Sequence, residues 1–82
     1  MIRIHVIGFD PPCPNCMGML NNAHEAVRLA GVAAVVEKKK LMSPEVLRDY
    51  GLVLGPAIAI DGVLVSQGKL LTVESIRELL GG

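Results

Sequence analysis

The chain has 82 residues, 51% of them hydrophobic, and its eight basic side chains balance eight acidic ones. That length accommodates one domain and no second core, and with one Phe, one Tyr and no Trp the core must be aliphatic. A neutral chain with a single short basic run lacks the electrostatic footprint of a nucleic-acid-binding protein, and no apolar run approaches the roughly 20 residues that cross a bilayer.

The first nine residues interleave Arg3 and His5 with apolar side chains, a pattern unlike a secretory signal. A soluble, cytoplasmic, monomeric protein with neither nucleic-acid nor membrane partners is therefore expected. Residues 2–7 alternate and are rich in β-branched side chains, so they predict a strand. Pro11 and Pro12 then impose a loop, because proline fixes φ and drives the preceding residue out of the helical region.

From about Pro14 the period becomes helical. Leu20, Ala23, Val27 and Ala30 fall on one stripe, with Gly31 as the stop. Residues 32–37 predict a second strand, after which Lys38, Lys39 and Lys40 are expected to carry the chain into solvent. Ser43 offers an N-cap and Pro44 a first helical position for a short helix ending at Gly51.

Asp61-Gly62, set between two apolar runs, predicts a type I′ hairpin turn, since both residues tolerate positive φ. Thr72 caps a last helix with Val73, Ile76, Leu79 and Leu80 expected to face inward. The predicted order is β-α-β-α-β-β-α. A helical crossover makes the first two strands parallel, the turn makes the last two antiparallel, and a mixed four-stranded sheet with helices on both faces accommodates both. The fold class is α/β, a single domain over residues 1–82.

Both cysteines of the chain lie in one unit, Cys13-Pro14-Asn15-Cys16. A disulfide there would close only a tiny loop and restrain the unfolded chain little, so a catalytic or metal-binding pair is the better reading in a reducing compartment. Positions i and i+3 at a helix start share one side, which lets two sulfurs meet. Unpaired N–H groups and the positive end of the macrodipole favour a thiolate on the leading cysteine. Such sites lower a cysteine pKa from about 8.5 to about 3.5–7.5. Cys13 is thereby the expected nucleophile and Cys16, one turn further in, the resolving thiol.

The ordered combination of strand, Cys13-to-Cys16 helix, Gly55-Pro56, hairpin and the Gln67-Gly68-Lys69 stretch resembles the thioredoxin-like superfamily. The likeness is strongest to its short, glutaredoxin-sized redox-active disulfide proteins. The resemblance implies a thiol–disulfide oxidoreductase that needs no cofactor beyond its own disulfide. Its partners would be a protein disulfide substrate and an upstream reductase or small thiol. It also implies a cis bond before Pro56, a Gly55 backbone that pairs with an extended substrate segment, and Pro12 on the substrate side of Cys13. This chain departs from thioredoxins in having Pro12 where they have Trp and Pro-Asn where they have Gly-Pro. Gly55 stands in place of Thr or Val. No confident match exists for their buried carboxylate, and no clear basic set for glutathione.

The competing reading is a soft-metal carrier, for copper or zinc. Two thiolates suit Cu(I), but tetrahedral zinc needs four ligands, so a metal-bridged dimer would be its form. Heavy-metal-associated domains run β-α-β-β-α-β, an order unlike this one, and no metal ligand is assigned. A redox-inactive interaction module is a third reading, which the intact cysteine pair opposes. His5 is expected to be a hydrogen-bonded strand residue, His24 a surface residue, Met17 and Met19 packing residues, and Asp10 a loop residue beside Cys13.

Overall fold

In the computed structural model, which describes residues 1–9 and 13–81, the elements follow the predicted order. They are β1 (Ile2–Gly8), α1 (Pro14–Ala30), β2 (Ala34–Lys40), α2 (Pro44–Tyr50), β3 (Ala57–Ile60), β4 (Val63–Gln67) and α3 (Val73–Leu79). The four strands form one sheet in the order β2-β1-β3-β4. β1 is parallel to β2 and antiparallel to β3, and β3 is antiparallel to β4. Asp61 and Gly62 join the last pair with φ of 50° and 82°, as the turn requires. Between Ile58 and Ala59 the β3–β4 register shifts, leaving Val65 as an extra residue in β4.

Strand alternation divides β1 between two cores. Ile4 and Val6 pack with Met19, Ala23 and Ala26 of α1, Ile58 of β3 and Ile76 and Leu80 near the C-terminus. Ile7 points the other way, into a smaller cluster with Val46 of α2, Val53 and Ala57. Helices α1 and α3 therefore cover one face and α2 part of the other. Ile4, Ile7, Ile58 and Ile76 have no exposed surface, and each contributes about 1.5–3 kcal/mol relative to exposure.

Local signals start and stop the helices. Ser43 Oγ accepts from Val46 N–H and Thr72 Oγ1 from Ser75 N–H, while Gly31 ends α1 at φ 66° in the left-handed region. Three expectations are corrected. The buried stripe of α1 is Cys16, Met19, Ala23 and Ala26, with Leu20, Val27 and Ala30 flanking it. Leu79 is 46% exposed, because Leu80, four residues after Ile76, takes the inward direction. Lys38, Lys39 and Lys40 belong to β2, paired with Val6, Ile7 and Gly8. Lysine suits an edge strand, and Lys39 reaches Glu45 of α2 at 2.8 Å.

Candidate functional site: the dithiol at the start of α1

The two cysteines meet where β1 ends and α1 begins. Cys13 is the N-cap of α1, in extended conformation, and Pro14 occupies the first turn, where no N–H is needed. The sulfurs lie 2.9 Å apart and are not bonded. Cys16 N–H donates to Cys13 Sγ at 3.3 Å, so the sulfur does the work that a serine oxygen does at an ordinary N-cap. Cys13 is half-buried, whereas Cys16 is only 4% exposed.

That asymmetry sets the chemistry. The Cys13 thiol is held below its ordinary value, first by the hydrogen bond shared with the Cys16 thiol and then by backbone N–H donors of the same turn, against a smaller desolvation that raises it. When Cys13 is ionised it has no proton to give, so Cys16 S–H is the donor between the two sulfurs. The stabilisation comes from hydrogen bonds, not from an ion pair.

The segment before β3 comes close to the end of β1, where a Cβ built on Gly55 would stand 3.8 Å from the Cα of Gly8. The Gly55–Pro56 bond is cis and Pro56 is buried. Leu54 is clamped from the end of β4: its N–H donates to Gln67 Oε1 at 3.0 Å, and its carbonyl accepts from Gly68 N–H at 2.9 Å. Gly68 N–H also reaches the Pro56 carbonyl at 3.0 Å. The clamp ties up the main chain on both sides of Gly55. Phe9 and Leu41 close on Gly55 where a side chain would stand, at 3.7 and 3.2 Å from a Cβ built there.

Apolar side chains stand exposed around this segment. Leu54 (70%) and Met17 (52%) are the most open, with Phe9 and Leu70 beside them; Leu70 lies over Gly18 in the second turn of α1. Of the sequence-predicted site residues, Cys13 and Cys16 come together and Gly55 and Pro56 form the segment described. Pro12, like Asp10, lies outside the described residues. Sequence reasoning missed Gln67 as the holder of Leu54, and Gly8 as the residue beneath Cys16. A glycine closing an alternating strand three residues before a proline pair was the available signal for Gly8.

The polar groups gather elsewhere. A cavity of about 610 Å³ is lined by Arg3, His5, Arg48, Asp49, Tyr50, Asp61 and Gly62, on the α2 side and towards the start of β1. His5 Nδ1 lies 2.9 Å from the Tyr50 hydroxyl. Burial first, and then the Asp49 carboxylate, push the Tyr50 phenol up, so it stays a donor at neutral pH. The proton of a neutral His5 then sits on Nε2, 3.6 Å from Glu37 Oε1. His5 is thus a strand residue hydrogen-bonded through Nδ1 to Tyr50, and His24 is exposed on α1.

A family model described as a thioredoxin domain matches residues 2–81. A protein named thioredoxin from Methanothermobacter thermautotrophicus is 35% identical over 80 residues, covering 98% of this chain and 99% of that one. Another protein of that name, from Methanocaldococcus jannaschii, is 33% identical over 82 residues, covering 98% and 92% of the two chains.

Proposed function

This chain belongs to the thioredoxin domain family of thiol–disulfide oxidoreductases, and we propose that it cycles a Cys13–Cys16 dithiol through a mixed disulfide with its substrate. The observation that carries the reading is the division of labour between the sulfurs. Cys13 is half-buried, caps α1 and is held towards its ionised form, while Cys16 is enclosed behind it.

The Cys13 thiolate attacks one sulfur of a substrate disulfide, forming a mixed disulfide and releasing the first substrate thiolate. Cys16 loses its proton and attacks Cys13 Sγ. The bond to the substrate breaks, the second substrate thiolate leaves, and the protein is left with a Cys13–Cys16 disulfide. Two electrons have passed to the substrate, and an upstream reductase or small thiol restores the dithiol. The exposed apolar side chains near the pair and the main chain of Gly55, which no described residue engages, suit an extended protein segment, which would pair on Gly55 beside Pro56. The reading calls for a reducing compartment, the cytoplasm, in which the dithiol is regenerated.

An aromatic disulfide whose released thiolate is coloured tests the sequence of steps. Wild-type dithiol should release two equivalents and end as an intramolecular disulfide. Cys16→Ser should release one and retain the other aryl group on Cys13, shown by mass. Cys13→Ser should react slowly or not at all. Equal and slow reaction of both single variants would defeat the assignment of roles.

A further inference from the structure

Gly8 closes β1 beneath the first turn of α1. A Cβ built on it would lie 2.8 Å from Cys16 Sγ and 2.9 Å from Cys16 Cβ, where unbonded carbon atoms settle at about 3.5–4.0 Å. Gly8 is not among the residues of positive φ, so glycine is required here for space and not for backbone freedom. Rotation of the Cys16 side chain moves Sγ but cannot relieve the contact with Cys16 Cβ, which is fixed to the helix backbone.

An added methyl group would therefore have to displace either the strand or the helix start. The strand is the better anchored. Gly8 pairs with Lys40, its carbonyl accepts from Leu41 N–H at 2.8 Å, and the preceding Ile7 pairs with Lys39 on one side and Ala57 on the other. The described hydrogen bonds of the first turn of α1 are internal to it, from Cys16 N–H to Cys13 Sγ and from Met17 N–H to the Cys13 carbonyl. The helix start yields.

We propose that Gly8 is a positioning residue for thiol exchange: its missing side chain seats Cys16 against the strand, at the place from which its S–H and N–H reach the Cys13 sulfur. The inference rests on Cys13 being the attacking thiolate. Gly8 touches no reacting substrate atom and acts only through Cys16. Displacing Cys16 lengthens both donations to Cys13 and makes its thiolate less stable.

The test is the rate of Cys13 alkylation against pH in the reduced protein, with circular dichroism to certify the fold. Wild type should show an inflection below the ordinary thiol value of about 8.5; its absence would defeat the proposed function itself. Gly8→Ala should move that inflection up by about one pH unit, a tenfold loss of thiolate below it. The greater nucleophilicity of the more basic thiolate returns part of this, leaving a net loss of roughly threefold at neutral pH. A folded Gly8→Ala protein with the wild-type inflection overturns the inference and leaves the proposed function standing.

If Gly8→Ala alone does not fold, the comparison moves to the Cys16→Gly background, where the methyl meets no side chain. There the double variant must fold and share the inflection of Cys16→Gly alone. An unfolded double variant, or an inflection that still moves with nothing at position 16 to act through, overturns the inference equally.

Discussion

The two ends of β1 solve opposite problems within one strand. Near its start, Arg3 exchanges hydrogen bonds with Asp61 at 2.9 and 2.8 Å, and His5 is held by Tyr50 with Glu37 nearby. Polar groups there are answered by fixed hydrogen-bond partners, and the contacts stabilise the fold. At the other end Gly8 presents no side chain at all; the Cys16 sulfur lies against it, and from there Cys16 helps to stabilise the Cys13 sulfur as an anion through S–H and N–H donors. An ion pair at the dithiol would fix the thiolate but compete with the incoming substrate. Donors from within the helix turn stabilise it and leave its open side clear. Among the described residues, no charged group shares in holding the Cys13 thiolate.

The largest effect that could break this contrast is on turnover. Cys13→Ser should abolish exchange, measured with a disulfide-bonded protein substrate, while His5→Ala at the polar end should leave the rate within about twofold. A tenfold loss in folded His5→Ala would mean that the two ends communicate. A middle-sized effect sharpens the contrast from the other side. Tyr50→Phe leaves His5 Nδ1 without its partner, and urea unfolding should show a loss of about 0.5–1.5 kcal/mol with the Cys13 inflection unmoved. A shifted inflection would again join the ends.

The smallest effect concerns the Lys39–Glu45 pair on the α2 face. Lys39 holds the Glu45 carboxyl below its ordinary value, so the stabilisation is present above the unfolded value of about 4.3 and disappears as pH falls through the lower folded one. Glu45→Gln should therefore melt slightly below wild type at pH 7 and level with it near pH 2. The gap is small because the Glu45 side chain is exposed. A gap undiminished in acid would mean that the glutamate contributes by packing and not by charge.

Much of this was legible in the chain. The period changes, Ser43 and Thr72 as caps, Asp61-Gly62 as the turn and the Cys13-to-Cys16 spacing are local signals, and each lies where expected. What eluded the sequence depends on contacts between distant segments. The expected α1 stripe shares Ala23 with the buried one but centres on Leu20 and Val27, which are more hydrophobic than Cys16 and Ala26, whereas α1 buries Cys16, Met19, Ala23 and Ala26. Lys38 to Lys40 read as an exit because polarity suggests solvent, but β2 is an edge strand and needs only one paired side. The Gln67 grip on Leu54 is coded by no neighbour in sequence, and the glycine before the proline pair marks Gly8 without showing that Cys16 is what it meets. Each becomes visible only when β1, α1 and β4 are assembled.

Val65 carries a consequence for life in a crowded solution. β4 is one outer margin of the sheet, and its surplus residue throws the spacing of donors and acceptors out of step with a flat incoming strand. The other margin, β2, ends in lysines, the residue type that natural edge strands use against pairing with a second sheet. Each rim of this aliphatic-rich sheet thus carries a feature that opposes edge-to-edge growth.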